Sequence, residues 1–299
     1  MTTPAVALYV PTYATRNAYL TTAEYQAAPT GVDLSQLIPG ATSPAVNQSA
    51  LQTLIGTASS YADSLCYQVL GATLDTQIGE YRIFRDGTIR VPVDYTPLVE
   101  VTAVSLGWAA GQLSALTDLT GLWLQRKVVR IPVGPSLISG AGYVFTAPAR
   151  YGSVFAQVAY VNGYANTTLA GAVSAAATSL TVASALGIFP GLPMTIYDDA
   201  VAKTEMVTVA NTYVQGSTTV PLTSALVNAH ASGTSISALP RAAKQAVIAL
   251  TTHLIKTRGA ESMALASVSG GPAMQQVAAG STEEYDLAVD LLHPFRRVM

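Results

Sequence analysis

Three acidic residues are the closest approach to a cation site in this 299-residue chain. Asp198 and Asp199 are adjacent and Glu205 follows shortly after, and carboxylate oxygens are the ligands that hard cations prefer. Two adjacent acids at a hairpin tip more often form a solvated turn, and we favour that interpretation. Cys66 is the single cysteine and lies on the apolar stripe of a predicted helix, so we expect a buried thiol rather than a nucleophile.

The three histidines lie far apart in the sequence and predict neither a metal centre nor a general base. His230 falls in a polar loop, His253 on the polar side of a helix and His293 at a helix end, so each is expected to be a surface or capping residue. The sequence contains no nucleophile elbow, zinc-protease motif, P-loop or dinucleotide fingerprint. We therefore expect no enzymatic activity, no metal and no cofactor.

The composition is poor in charge. Half of the residues are hydrophobic and only 11% are charged, against roughly 25% in ordinary soluble proteins. Such a surface is expected where partners cover much of it, although abundant Thr, Ser, Asn and Gln could also solvate a monomer. The net charge of −2 offers no basic field for nucleic acid, and no segment approaches the ~20 apolar residues of a membrane span. The arginines are spaced too loosely along the sequence to predict a phosphate track: Arg82, Arg85, Arg90, Arg126 and Arg130.

Three helices are predicted to position these residues. The clearest begins at Ser49, which forms a capping box with Gln52, and ends at Gly71. A second is predicted over residues 240–259 and a third from Ser281 onward. The apolar face of the first recurs at steps of three and four: Leu51, Leu54, Ile55, Ala58, Ala62, Leu65, Cys66 and Val69.

Strands are predicted between the first two helices. Residues 81–91 contain Asp86-Gly87 and predict a hairpin with a type I′ turn. Residues 99–104, 127–133 and 154–161 predict further strands of one sheet.

The segment 166–238 differs in kind, since it is rich in Thr, Ser, Ala and Val and nearly without charge. Ser184-Ala185-Leu186 returns as Ser224-Ala225-Leu226, and Thr178-Ser179-Leu180 corresponds to Thr218-Thr219-Val220, both at an offset of forty residues. Two similar β units packed together are expected; chance similarity in a low-diversity sequence is the alternative.

These elements predict an α+β fold, a small helical bundle with a β-hairpin and sheet core, interrupted by an inserted all-β module. Residues 1–46 are expected to form an N-terminal arm with at most one short helix, near residues 21–28. Residues 47–165 and 239–299 are expected to form the core, because neither part buries its apolar face alone. Residues 166–238 are expected to form the inserted β domain.

Residues 49–106 resemble the head–tail connector, or adaptor, family of siphovirus-type tailed phages. The family pattern is an amphipathic helix, a hairpin, a turn into a strand, a later strand end and a basic C-terminal phrase. The matching segments here are residues 83–92 (IFRDGTIRVP), 96–101 (TPLVEV), 158–164 (VAYVNGY) and 291–297 (LLHPFRR). The insert departs from the family, which joins the flanking segments closely.

The resemblance implies a non-enzymatic structural protein of the virion neck at the head–tail junction, assembled in the host cytoplasm. Its expected partners are the portal protein, neighbouring copies in a ring of twelve, and downstream head-closure or tail proteins, with packaged DNA passing through the lumen and no membrane involved. The alternative is another minor virion protein, for head closure, capsid or decoration, whose β insert binds the capsid or host surface. A carbohydrate-binding module or hydrolase would need aromatic platforms or paired carboxylates. The segment 166–238 has only two tyrosines, Tyr197 and Tyr213, and few acids, so this class is not expected.

The C-terminal segment is the expected portal anchor. Exposed apolar side chains gain from burial, and arginine forks bind carboxylates or carbonyls in two places. The alternative is that Leu292 and Phe295 fold back on the chain's own helices and the arginines cap helix carbonyls. The predicted docking residues are Leu291, Leu292, Pro294, Phe295, Arg296 and Arg297.

Overall fold

The computed structural model describes residues 17–35, 37–38, 43–125, 127–132, 152–266 and 273–297, of which 258–266 and 273–282 are described by backbone alone. Arg126 and residues 1–16 of the predicted arm lie outside the described residues. The helices of the described residues are α1 (Thr22–Ala27), α2 (Pro44–Cys66), α3 (Arg241–Ala266) and α4 (Ala273–Leu292), followed by a 3-10 turn, His293–Phe295.

Thirteen strands lie in the described residues. Those before the predicted insert are β1 (Thr73–Arg82), β2 (Thr88–Pro92), β3 (Leu98–Ala109), β4 (Gln112–Ala115), β5 (Trp123–Gln125), β6 (Val128–Pro132) and β7 (Ser153–Asn162). The others are β8 (Asn166–Thr168), β9 (Ser179–Thr181), β10 (Pro193–Tyr197), β11 (Glu205–Thr208), β12 (Thr219–Pro221) and β13 (Ser235–Ser237).

The helix ends differ from their predicted positions. Helix α2 begins with Pro44, whose missing N–H costs nothing at the first helical position. Ser49 is therefore interior, and its carbonyl accepts a hydrogen bond from the Thr53 hydroxyl at 3.0 Å. Tyr67, not Gly71, ends the helix in the left-handed conformation, at φ 54°. Helix α3 likewise runs past residue 259 to Ala266, and α4 begins before Ser281.

The apolar stripe of α2 is buried largely as predicted. It faces α3, α4 and α1. The predicted position of α1 is confirmed, and Tyr25 on α1 is fully buried. The buried stripe residues are Leu51, Leu54, Ile55, Ala58, Ala62 and Cys66. Each fully buried Leu or Ile stabilises the fold by about 1.5–3 kcal/mol relative to exposure. The cluster joins segments more than two hundred residues apart, from Leu51 to Leu292.

Two sheets pack face to face in the middle of the chain. One has the strand order β1-β7-β3-β4 and the other β2-β6-β5, and their inner faces share one apolar cluster that includes Ile89, Val104, Ile131 and Val158. The predicted hairpin over residues 81–91 is wrong in its turn type and in its strands, because only Gly87, and not Asp86, has the positive φ that a type I′ turn requires at both positions. Ile83 pairs with Ile89 around Gly87, but β1 and β2 continue into different sheets, as do the predicted strands over 127–133 and 154–161.

The repeat in residues 166–238 organises a third apolar cluster. Leu180 on β9 pairs directly with Val220 on β12, its counterpart at an offset of forty. Ile196 on β10 likewise pairs with Ile236 on β13. Counterparts that pair with each other in antiparallel strands are related by a local twofold axis, which confirms the prediction of two similar β units.

The predicted fold class, a small helical bundle with a sheet core and an inserted β module, is wrong. Among the residues whose side chains are described, 34% lie in strands and bridges against 27% in helices, and the strands form four antiparallel sheets. The physical reason is that a few long periodic helices dominate a sequence pattern, whereas most of the strands are only three to five residues long. The division into an arm, a two-part core and an insert is not tested by this structure and stays a prediction.

Candidate interaction surfaces

The outer face of the three-stranded sheet carries two arginines side by side. Arg90 on β2 pairs directly with Arg130 on β6, which in turn pairs with Trp123 on β5. Paired residues of antiparallel strands project from the same face, so the three side chains lie in one line. Phe84 extends this line, because the Arg90 guanidinium carbon lies 4.3 Å from the centroid of its ring. We call Phe84, Arg90, Arg130 and Trp123 the arginine row.

The charge of the arginine row is only partly neutralised. Arg90 binds Asp86, with 3.1 Å between Nη2 and Oδ2, and a hydrogen bond from Thr88 lowers the pKa of this carboxyl. Arg130 instead lies over the Trp123 ring, 5.2 Å from its centroid. Among the described residues, the buried Nε atoms of both arginines have no hydrogen-bond acceptor. Like charges opposite one another destabilise a sheet, so an anion placed over the row would relieve this repulsion.

Sequence reasoning missed this surface. Arg90 and Arg130 are forty residues apart in the sequence, and only the strand register brings them together. The sequence signal was an aromatic residue near each arginine, and Trp123 is 61% exposed. Arg82 and Arg85 are also exposed but lie outside the row.

The C-terminal segment predicted to dock on a portal lies against its own chain. Leu292 is fully buried in the helical cluster, and Leu291 and Phe295 pack against that cluster. The Phe295 ring meets Tyr164 edge-on, with 6.2 Å between the centroids, and its carbonyl accepts a hydrogen bond from Gln68 Nε2 at 2.6 Å. These contacts match the alternative in which the two apolar side chains fold back.

Arg297 partly matches the alternative in which the arginines cap helix carbonyls, because its backbone N–H donates to the carbonyl of Cys66, the last residue of α2, at 2.8 Å. Arg297 binds Asp94, with 3.0 Å between Nη2 and Oδ1, and its guanidinium lies 4.8 Å from the centroid of the Tyr95 ring. Pro294 is exposed and Arg296 is partly exposed. A single chain does not test docking, which stays a prediction, but the apolar part of the proposed anchor is occupied within the chain.

A buried histidine joins two carboxylates in the β region. The His230 side chain is fully buried, with Nδ1 2.9 Å from Asp198 Oδ2 and Nε2 2.8 Å from Glu205 Oε1. Glu205 also accepts backbone N–H bonds from Val227 and Asn228, at 2.8 and 3.0 Å. We call Asp198, Glu205 and His230 the histidine cluster. The prediction of a surface or capping histidine at position 230 is therefore wrong.

The histidine cluster is an internal hydrogen-bond network. A neutral imidazole has one donor and one acceptor, whereas two ionised carboxylates require a donor from each ring nitrogen. The hydrogen bond from His230 lowers the pKa of Asp198. Burial alone would raise the pKa of Glu205, but the hydrogen bonds from Val227, His230 and Asn228 outweigh it and lower the pKa. The ring occupies the space between the acids, and no group of described residues is arranged to hold a metal ion.

A buried lysine joins α1, α3 and β10. Lys244 Nζ donates to Glu24 Oε1 at 2.7 Å and to the Tyr19 carbonyl at 3.0 Å, and it lies 3.6 Å from the centroid of the Tyr197 ring. Burial lowers the pKa of Lys244, and the Glu24 carboxylate opposes that shift. These contacts assign Lys244 a structural role at the junction.

The outer face of the β1-β7-β3-β4 sheet has exposed apolar side chains on its edge strand. On β1, Leu74 and Ile78 are 48% and 51% exposed. Their partners on β7 are Val161 and Gln157, and exposed Ala103 lies on the neighbouring strand β3. The same face also carries Glu80 and Arg82 on β1, both exposed, and Glu100 on β3.

A cavity of about 430 Å³ lies between α2 and the β region, beside Asp198 and Asp199. Its described lining includes no histidine, cysteine or lysine. Within the described part of the chain, no helix has the length and apolar character needed to span a bilayer.

No protein-family model matches the chain, and no curated protein matches it. The family resemblance therefore rests on the sequence segments quoted above.

Proposed function

We propose that this chain is a structural subunit of a tailed-phage virion, a head–tail connector. In this proposal it forms a ring between the portal and the downstream head-closure or tail proteins and leaves an opening for DNA. The resemblance of residues 83–101 and 291–297 to the adaptor family motivates the proposal, and the open outer face of the four-stranded sheet is the structural observation that supports it best.

The open face is suited to burial against a neighbouring copy. The three long strands cover about 33 Å by 10 Å and the four-residue β4 adds about 13 Å by 5 Å, which gives a face of roughly 380 Å² in projection. One side of a standard protein interface buries roughly 800 Å², so this face could supply nearly half of a subunit contact. Leu74 and Ile78 contribute apolar area at its edge, and a persistent monomer would leave them in water.

The test is assembly of the purified chain, measured by light scattering after size exclusion, by negative-stain imaging and by co-sedimentation with portal rings. A closed ring that binds the portal supports the proposal. A persistent monomer that binds intact capsids would instead favour a decoration protein.

A variant pair tests the role of the sheet face. Ile78→Glu places a charge in the open face and is expected to reduce ring formation at least about tenfold, because burying an unpaired carboxylate is costly. Val214→Glu is the matched control, since Val214 is 72% exposed in the β region and outside this face. Equal assembly of the two variants would show that the face is not a subunit contact.

A further inference from the structure

The exposed side of α4 is acidic, in contrast to the arginine row. Glu283, Asp286 and Asp290 are exposed, and Leu287 between them is 47% exposed. Their spacing of three, four and seven residues places them on one side of the helix. The opposite side carries buried Ala288. We call Glu283, Asp286, Leu287 and Asp290 the acidic stripe.

The acidic stripe and the arginine row match in size and chemistry. Seven residues of helix, from Glu283 to Asp290, rise about 10 Å. Three neighbouring strands, from Arg90 across Arg130 to Trp123, also span about 10 Å. Each surface carries at least two like charges next to an exposed apolar side chain, and the two surfaces have opposite sign.

We propose that the acidic stripe of one copy binds the arginine row of the next copy. In this contact Asp286 and Asp290 accept hydrogen bonds from Arg90 and Arg130, and Leu287 packs on the aromatic rings. Arginine forks bind carboxylates in two places, so the Nη atoms of Arg90 and Arg130 can donate to the incoming carboxylates. The inference rests on the proposed function, because it adds a polar contact between neighbouring copies of the proposed ring.

The charge pattern favours a second copy over nucleic acid. The two surfaces lie on different elements, and no ion pair between them is described within one chain, so each is available to a neighbour. A contact between two different surfaces repeats head to tail and closes into a ring when the rotation allows it. Duplex DNA would offer phosphates to the arginines, but aromatic side chains stack on unpaired bases, and the chain as a whole is slightly acidic.

The test exchanges charges between the two surfaces of the full-length chain. Arg90→Glu with Arg130→Glu, and separately Asp286→Arg with Asp290→Arg, are each expected to weaken ring assembly at least about tenfold. Combining all four substitutions in one chain restores opposite charges and is expected to recover most of the assembly. Sedimentation velocity measures the ring fraction, and circular dichroism checks that each variant keeps the wild-type fold.

Matched controls and salt complete the design. Arg241→Glu and Asp199→Lys reverse one charge each, in the same directions as the two double variants, at exposed residues outside both surfaces, and they are expected to leave assembly unchanged. Raising NaCl from about 0.05 M to about 0.5 M shortens the screening length severalfold and is expected to weaken the wild-type ring.

The outcomes separate the two proposals. Wild-type rings together with normal assembly of both charge-reversed variants would overturn this contact and leave the connector function standing. Normal rings of the Arg90→Glu, Arg130→Glu variant that no longer retain duplex DNA would assign the arginine row to nucleic acid instead. A wild-type chain that stays monomeric, alone and with portal, would overturn both.

Discussion

Replacing His230 with alanine tests the histidine cluster, whose three side chains are nearly or fully buried. The change leaves the Asp198 and Glu205 carboxylates facing each other without the ring between them. Removing one partner of a buried ion pair costs about 3–5 kcal/mol. The low end applies here, because Glu205 keeps its two backbone N–H donors and Asp198 keeps the N–H of Ala200.

A loss of about 3 kcal/mol lowers the folded-to-unfolded ratio roughly a hundredfold. It should lower the melting temperature by about 6–10 °C in a chain of this size. Unfolding in urea and by heat, followed by circular dichroism, measures the change. His293→Ala is the matched control, since His293 is exposed and its loss should change stability by less than about 0.5 kcal/mol.

The same cluster predicts the direction of acid sensitivity. The pKa values of Asp198 and Glu205 are lowered in the folded chain, so their stabilisation is present above the unfolded value near pH 4 and is lost as pH falls through the lowered folded values. The wild type should therefore lose more stability below about pH 4 than the His230→Ala variant. If the free energy of unfolding falls equally with pH in the wild type and in the His230→Ala variant below about pH 4, the electrostatic argument is refuted.

A double variant separates charge from cavity formation. Adding Asp198→Asn to His230→Ala removes one of the two facing carboxylates while keeping Oδ1 as the acceptor for the Ala200 N–H. If repulsion causes the loss, the double variant is more stable than His230→Ala alone. If it is equally unstable or less stable, the emptied space, rather than the charges, accounts for the effect.

The remaining predictions concern the helical cluster and its junction. Leu292→Ala should cost about 2–5 kcal/mol in urea unfolding, because the side chain is fully buried; a loss below about 1 kcal/mol would contradict its place in the core. Lys244→Met should destabilise the chain by about 3 kcal/mol by leaving Glu24 unpaired, and adding Glu24→Gln should recover part of the loss in the same measurement. Burial raises the pKa of Cys66 to about 12, so iodoacetamide at pH 8 should label it only in urea, and rapid labelling of the folded chain would refute its burial.

Patterns confined to one segment were predictable from the sequence. The α2 stripe recurs at helical spacing, and six of its eight predicted residues are buried. The helix ends were not predictable from capping patterns alone. Ser49 and Gln52 fit a capping box, but Pro44 starts the helix earlier because the first turn tolerates proline.

Features that depend on strand pairing were harder to predict from the sequence. The repeat at an offset of forty predicted two β units, and the pairing of Leu180 with Val220 follows from their symmetry. The histidine cluster has no such signal, because the positions forty residues from Asp198 and Glu205 are Ala238 and Ala165. Acidic residues at positions where the repeat has alanine mark the two places at which the two β units differ, and this difference could have pointed to the cluster.

The two sides of α4 connect the buried C-terminal segment with the proposed assembly. On its inner side, Ala288 and Leu292 are buried in the chain's own core, so these residues contribute to stability whether or not a partner is present. Its outer side exposes three carboxylates to water, where an ionised side chain is well solvated. Their hydrogen bonds to arginine are strongest in a contact from which water is excluded. A partner of this helix is therefore selected by positive charge rather than by an apolar pocket, and the arginine row of a neighbouring copy has that character.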